Sequence, residues 1–121
     1  MERLTRTEEE LMQMIWEKGE CTVRDLLDDM PEPRPPHSTV SSVVRILEQK
    51  GFVSHKAFGR TYLYFPIVSK EAYSRQTLGR IIDRYFDKSA SQMISFLVEE
   101  EEIDYKTLSE LMDKIKNKEQ R

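Results

Sequence analysis

The residues best suited to chemistry in this 121-residue chain lie in one short segment, directly after a proline-rich stretch. From about Ser38, valine and leucine side chains recur at helical spacing and predict a buried stripe. The opposite face carries small polar side chains and one arginine, where a solvent-facing helix more often carries Glu and Lys. This face and its N-terminal entry comprise His37, Ser38, Thr39, Ser41, Ser42 and Arg45.

A helix face of this kind is suited to DNA. Small hydroxyl side chains let a helix come close to the floor of a groove, and they can bond phosphates or base edges. Arg45 can pair bidentately with a guanine or a phosphate. The alternative is that the serines and threonines only cap the start of the helix. We interpret the face, taken as a set, as DNA-binding.

A second candidate contact follows the helix. After Gly51 the pattern changes to β-branched and aromatic residues and predicts two strands, about Phe52–Lys56 and Thr61–Phe65, joined by a short turn. Lys56 and Arg60 stand on either side of that turn, where two cations can straddle a phosphate or enter the minor groove. Alternatively, they protect edge strands against aggregation.

The charge distribution agrees with a local contact to phosphate. Residues 1–33 hold four basic and ten acidic side chains, whereas residues 34–66 hold five basic and only one acidic. The whole chain has a formal net charge of −3. Because the local field decides whether phosphates are attracted, one basic segment in an acidic protein is sufficient.

The sequence offers no site for catalysis, for a metal or for a cofactor. Cys21 is the single cysteine, and His37 and His55 are the two histidines, so no metal-ligand spacing is present. No P-loop or nucleophile elbow occurs. No apolar run approaches the ~18 residues of a transmembrane helix, and the N-terminus lacks a signal-peptide core. We therefore predict a cytoplasmic protein without enzymatic activity, cofactor or membrane insertion.

Capping and stop signals predict three helices before the hairpin. Thr7-x-x-Glu10 and Thr22-x-x-Asp25 are capping boxes that begin the first two helices. Pro31 ends the second helix, and the third helix is the one that carries Arg45. Three helices and a hairpin are typical of a winged helix-turn-helix, in which the later helix lies in the major groove. The alternative is a winged-helix protein-interaction module without DNA binding.

The second half of the sequence predicts three further helices, and we expect them to pack against a partner. They begin at Ser69, Ser89 and Asp104, and their apolar stripes are too narrow for a solitary core. We expect a winged-helix DNA-binding domain over 1–68 and a helical dimerisation domain over 69–121. One continuous monomeric bundle is the alternative. The predicted dimerisation residues are Ile81, Ile82, Tyr85, Phe86, Met93, Ile94, Leu97, Val98, Leu108, Leu111, Met112 and Ile115.

The symmetry of such a homodimer determines the symmetry of the DNA sequence that it binds. A two-fold axis places two recognition helices about one turn of DNA apart, or a multiple of it. We therefore predict that the partner is double-stranded DNA with a palindromic operator.

The sequence resembles the penicillinase-repressor family (BlaI/MecI/CopY) of winged-helix regulators over nearly its whole length. The resemblance is carried by three stretches: "LTRTEEELMQMIWEKGECTVRDLLDDM", "STVSSVVRILEQKGFVSHKAFGRTYLYFPIVSKEAY" and "YFDKSASQMISFLVEEEEID". The "GR-x-Y-x-Y-x-P" pattern of the predicted wing is part of the second stretch. The resemblance implies a dimeric repressor that reads a palindrome through its N-terminal domain.

The resemblance also implies how repression ends. In the antibiotic-sensing branch, a membrane metalloprotease sensor system triggers cleavage in the C-terminal domain, typically at an Asn-Phe bond, in response to a signal such as a β-lactam. The matching position here is Ser95-Phe96, which keeps the phenylalanine but not the asparagine. The copper-sensing branch has a C-terminal Cys-x-Cys pattern, and this chain has no cysteine after Cys21.

Overall fold

The computed structural model describes residues 1–119, which form six helices and one two-stranded antiparallel hairpin. The elements are α1 (Arg6–Lys18), α2 (Val23–Asp28), α3 (His37–Gln49), β1 (Val53–Phe58), β2 (Thr61–Pro66), α4 (Lys70–Tyr85), α5 (Ala90–Glu99) and α6 (Tyr105–Glu119). The predicted fold class, mainly α with a small hairpin, is confirmed. Gln120 and Arg121, which end the predicted second domain, lie outside the described residues.

The chain divides into two compact units. The first comprises residues 1–74, and the second begins at Arg75, within α4. The first unit contains the three helices and the hairpin of a winged helix-turn-helix. The second unit contains the rest of α4 together with α5 and α6.

The start of α1 differs from the prediction. The N-cap is Thr5, whose side chain accepts from the Glu8 amide while the Glu8 carboxylate accepts from the Thr5 amide, so the predicted Thr7–Glu10 box is wrong. Both pairs match the same sequence pattern. The earlier start places Glu8 in a buried position, where Lys50 Nζ lies 2.5 Å from its Oε1. The Thr22–Asp25 box of α2 is present as predicted.

The core of the first unit is closed. Ile15 from α1, Leu26 from α2 and Val44 from α3 have no exposed surface, and Phe52 is buried just before β1. Val43, predicted on the same buried stripe of α3, is only partly buried. Closure of this core fixes α3 as a rigid element whose outward face is free.

Each strand of the hairpin has six residues, one more than predicted, and β1 begins at Val53 rather than at Phe52. Phe58 pairs with Thr61, so Gly59 and Arg60 form a two-residue turn, with Gly59 at φ 62°. Of the alternating residues on β2, only Tyr64 is buried, and Tyr62 is half exposed. The outer half of the hairpin therefore extends beyond the core.

Two aromatic side chains fasten the beginning of α4 to the first unit. The Trp16 indole N–H donates to the Val68 carbonyl at 2.8 Å. The Tyr73 hydroxyl accepts from the Leu4 amide and donates to Glu9 Oε1 at 2.9 Å. The Tyr73 ring also meets Phe52 edge to face, at 5.4 Å between centroids. The first unit therefore includes the first residues of α4.

Helices of the second unit begin where the sequence predicts. Ser89 caps α5 by accepting from the Gln92 amide, and Asp104 Oδ1 accepts from the Thr107 amide at 2.7 Å. The second of these bonds lowers the pKa of Asp104, because it favours the carboxylate. The rings of Phe86 and Phe96 lie 5.5 Å apart. No side chain described from Arg75 onward is fully buried.

Candidate nucleic-acid interface

The outward face of α3 carries the predicted contact residues. His37, Ser38, Thr39, Ser42 and Arg45 are exposed, and Ser41 is partly exposed. The N-cap is Pro36, which makes no side-chain cap bond, so the serines and threonines do not serve as caps here. Ser42 donates instead to the Ser38 carbonyl at 2.9 Å, within the helix. The hydroxyl-rich face therefore has no capping role.

Arg45 and Arg60 differ from the other basic residues of segment 34–66. Lys50 Nζ is bound to Glu8 and to the Arg3 carbonyl, and Lys56 Nζ lies 3.0 Å from Glu20 Oε1. Arg34 donates to the carbonyls of Asp28 and Met30 and also pairs with Glu32. Among residues 1–119, Arg45 and Arg60 are the two of this segment that pair with no carboxylate.

The two arginines occupy different elements of the first unit. Arg45 projects from α3 with Nη2 3.5 Å from Ser41 Oγ. Arg60 stands in the tight turn at the tip of the hairpin. Lys56, the other predicted cation of the hairpin, is engaged by Glu20. Both partners of that pair are more than half exposed, so the pair is weak and can open.

The lysine at the end of α3 has a structural role. Burial by itself raises the pKa of Glu8, but hydrogen bonds from Lys50 and Thr5 outweigh it and hold this pKa below its usual value. The ion pair joins the start of α1 to the end of α3 across 42 residues of sequence. Lys50 therefore holds the C-terminal end of α3 against the start of α1.

A cluster that sequence reasoning missed lies between α3 and the hairpin. His55 Nδ1 is 2.9 Å from Glu48 Oε1 and 2.5 Å from Oε2. The His55 ring lies against Tyr62 at 4.4 Å and Tyr64 at 5.6 Å between centroids. One sequence signal was available, because Glu48 is the single acid of segment 34–66 and lies three residues after Arg45.

Neither a metal site nor a reactive thiol is present in the described part of the chain. Residues 1–119 contain no group of three or more His, Cys, Asp or Glu side chains arranged to hold a metal ion. Cys21 is buried, and burial followed by the nearby Asp25 carboxylate raises the pKa of its thiol to about 11. Within these residues, no helix is long and apolar enough to span a membrane.

The predicted dimerisation residues lie on all three helices of the second unit. Ile81, Tyr85, Ile94, Val98, Leu111, Met112 and Ile115 are exposed, and Ile82, Phe86, Met93, Leu97 and Leu108 are partly buried. Five of them, with Ile103, line an open apolar cavity of about 380 Å³ between α5 and α6. Ser95 and Phe96, the predicted cleavage position, are both exposed on α5.

Comparison with known proteins places these features in one family. Residues 4–117 match the model of the penicillinase repressor family. A methicillin resistance regulatory protein MecI from Mammaliicoccus sciuri is 20% identical over 116 residues, covering 95% of this chain and 94% of that protein. A penicillinase repressor from Bacillus licheniformis is 18% identical over 110 residues, covering 90% and 86%.

A solved structure has a similar fold. It is described as "Possible transcriptional regulator for arsenical resistance", and it covers 70% of this chain and 90% of its own with a TM-score of 0.50 and 22% identity. The family consists of transcriptional repressors, so the predicted DNA-binding regulator without enzymatic activity is confirmed at that level. The winged helix-turn-helix, the hydroxyl-rich face of α3 and the match over 4–117 lead to one conclusion: this chain belongs to the penicillinase repressor family.

Proposed function

We propose that this protein is a homodimeric, cytoplasmic repressor that binds a palindromic DNA operator through its first unit and dimerises through its second. The observation that supports DNA binding is the outward face of α3. It combines hydroxyl residues that have no capping role with Arg45. In the proposed complex α3 lies in the major groove, and Arg60 at the hairpin tip contacts the adjacent backbone. The proposed DNA-binding domain is 1–68 and the dimerisation domain is 69–121.

The proposed base contacts and phosphate contacts come from different residues. Arg45 and Ser42 lie mid-helix and are suited to base edges, while His37, Ser38, Thr39 and Ser41 are suited to positioning on the backbone. Arg60 is suited to a phosphate. Lys56 contributes less, since it must first leave Glu20.

The second unit supplies the argument for dimerisation. Its helices leave large apolar side chains exposed, among them Tyr85, Met112 and Ile115. Exposed apolar surface of this extent marks an interaction surface. A second copy is the occupant we propose, since a two-fold partner offers the same apolar face in return.

Release of repression is proposed to follow cleavage at Ser95-Phe96. Both residues are exposed on α5, a helix without a fully buried side chain. A cut there separates Met93 and Ile94 from Leu97 and Val98, so it divides the apolar stripe and removes α6. We propose a membrane metalloprotease sensor system as the trigger and a β-lactam as the signal, because relatives are named for penicillinase and methicillin resistance.

In vitro selection of random duplexes tests DNA binding. The proposal predicts an enriched palindrome and an affinity that falls steeply with salt. A protein-interaction module without DNA binding would enrich no sequence and show no salt-dependent binding to any duplex. The Arg45→Ala variant should enrich the palindrome poorly, while the control variant Arg6→Ala, at an exposed position of α1 where the arginine pairs with Glu10, should behave as the wild type.

Sedimentation tests the dimer. Leu111→Ser removes an exposed apolar side chain from α6 and should shift the protein towards monomer. Its neighbour Glu110→Ser is the matched control and should remain dimeric. Equal sedimentation of both variants as dimers would exclude α6 from the interface.

A further inference from the structure

The cluster between α3 and the hairpin lies on the face proposed to meet DNA. Ser41, Arg45 and Glu48 are spaced by four and three residues, so they share one side of α3. Glu48 thereby extends the proposed contact stripe towards the hairpin. A carboxylate at this position opposes the approach of phosphates unless a cation neutralises it.

His55 on β1 is the group in contact with that carboxylate. Its Nδ1 lies within hydrogen-bond distance of both Glu48 oxygens. Since an ionised carboxylate only accepts, Nδ1 must carry the proton of this bond. The other ring nitrogen, Nε2, is then an acceptor in the neutral ring and a donor in the imidazolium.

Two tyrosines of β2 hold the imidazole in place. Tyr64 faces His55 directly in the strand register and is buried, and Tyr62 packs on the ring at 4.4 Å. The His55 side chain is nevertheless about one-third exposed. The ring is therefore oriented by three neighbours and open to solvent.

The ionisable groups around the ring come from two elements. Glu48 contacts it from α3, and Tyr62 and Tyr64 contact it from β2, while Arg45 of α3 is close enough to Tyr64 to affect that residue's pKa. Burial, followed by the charge of Glu48, raises the pKa of Tyr64, so this phenol is neutral at physiological pH. Lys56, next to His55 on β1, directs its amine to Glu20.

We propose that His55, as an imidazolium, binds a DNA backbone phosphate through Nε2–H, with Glu48 as the positioning carboxylate, so that DNA binding is linked to protonation of the ring. A neutral imidazole with Nδ1 bound to Glu48 would present a lone pair to the phosphate, whereas the imidazolium presents a donor. The inference rests on the proposed DNA binding. It adds a contact that is independent of base sequence and sensitive to pH.

Affinity for one fixed duplex at pH 6 and pH 8, at constant salt, tests the proposal. Uptake of one proton can change the affinity by at most about tenfold per pH unit. We expect the wild type to bind at least about fivefold more tightly at pH 6. His55→Gln should lose most of this difference, and circular dichroism should show an intact fold. Arg60→Gln removes another proposed phosphate contact but no group that titrates between pH 6 and pH 8, so it should weaken binding at both pH values and retain the ratio.

The Glu48→Gln variant tests whether Glu48 acts through its charge on His55 or only as a hydrogen-bond acceptor. The amide oxygen still accepts from Nδ1–H, but the negative charge is gone. We expect tighter binding than wild type at pH 8, because an anion leaves the face, and a smaller ratio between pH 6 and pH 8. A Glu48→Gln protein with the wild-type affinity at both pH values would overturn the role of Glu48.

Nitrogen NMR of the imidazole gives an independent measurement on the full chain. Bound duplex should move the titration of His55 to higher pH, while Nδ1 stays protonated throughout. An unchanged titration, or a His55→Gln variant with the wild-type pH ratio, would overturn the proposal while DNA binding stands. If the wild type binds no duplex at any pH, the proposed function fails and this inference fails with it.

Discussion

The two compact units bury their apolar side chains to very different extents. In the first unit, side chains from α1, α2 and α3 close around Phe52 and leave almost no apolar core atom in contact with water. In the second, Tyr85 is 76% exposed and Ile115 is 56% exposed. The first unit therefore has a closed core of its own, whereas the second leaves apolar side chains for the partner that we propose.

The same difference assigns the two parts of the proposed function to different units. A closed core lets the first unit present α3 and the hairpin at fixed positions, which recognition of DNA requires. An open apolar face suits the second unit to the proposed dimerisation, which the proposed cleavage at Ser95-Phe96 would reverse. The predictions below test this division of roles, starting with the largest expected effect.

Truncation after Ser95 should abolish dimerisation and leave the first unit folded. The change removes α6 and half of the stripe on α5. Without a dimer, the second half-site is no longer bound at high effective concentration, so affinity for a full palindrome should fall about 10²–10⁴-fold. Ultracentrifugation and operator titration measure the two effects. A truncated protein that stays dimeric, or binds as tightly as the intact chain, would contradict the coupling of cleavage to derepression.

Phe52→Ala should destabilise the first unit strongly. The ring is fully buried and packs edge to face on Tyr73, so its loss leaves a cavity and costs about 3–5 kcal/mol. Denaturant unfolding should show this loss at every protein concentration. Leu111→Ala in the second unit should instead show a cost that depends on concentration, since its side chain is exposed in one copy. If both losses were independent of concentration, the two units would not differ as proposed.

Arg45→Ala should weaken binding of the selected operator by about 1–3 kcal/mol if the contact is to a base. Ser42→Ala should act in the same direction. Both side chains are exposed on α3, so thermal unfolding and dimerisation should not change. Titrations at fixed salt measure the effect. Binding equal to wild type in both variants would remove the mid-helix face from the interface.

Neutralising the hairpin cations should reduce the salt dependence of binding rather than its base preference. The double variant of Lys56 and Arg60 to Gln should lower the salt slope by up to about two counterion units. The structure predicts that Arg60→Gln accounts for more of this change, since Lys56 is paired with Glu20. Altered base preference with an unchanged slope would mean that the hairpin reads sequence.

The smallest expected effect concerns acid stability of the first unit. The pKa of Glu8 is lower in the folded protein than the usual value of 4.5, so its ion pair stabilises the fold above that pH. This contribution is lost as the pH falls through the lower, folded value. Glu8→Gln should therefore be less stable than wild type at pH 7, and the gap should narrow below about pH 4.5. Thermal unfolding across pH 3–7 measures it, with the exposed Glu10→Gln as control.

Local signals were sufficient for most of the elements. Ser89 and Asp104 predicted the starts of α5 and α6, and the capping box at Thr22 predicted the start of α2, because a cap is a contact between residues three apart. Hydrophobic periodicity likewise predicted the inward side of α3, apart from Val43, which is only partly buried. By elimination, it also predicted which residues of α3 face outward.

Local signals failed where two patterns overlapped or where the partner was distant. Thr5–Glu8 and Thr7–Glu10 are equivalent as sequence patterns, and burial of Glu8 against Lys50 decides between them. Lys56 and Arg60 are equally basic in the sequence, but only the first has Glu20 beside it. These contacts join residues 42 and 36 positions apart.

The sequence by itself determined the helices, the hairpin and the polar outward face of α3, since all three follow from contacts within a few residues. Only the tertiary structure decided which cations stay unpaired and that His55 meets Glu48 beside two tyrosines. The physical reason is that a charge is neutralised by whatever the fold brings within about 4 Å. That neighbour is fixed by packing of the whole first unit, which spacing along the chain does not encode.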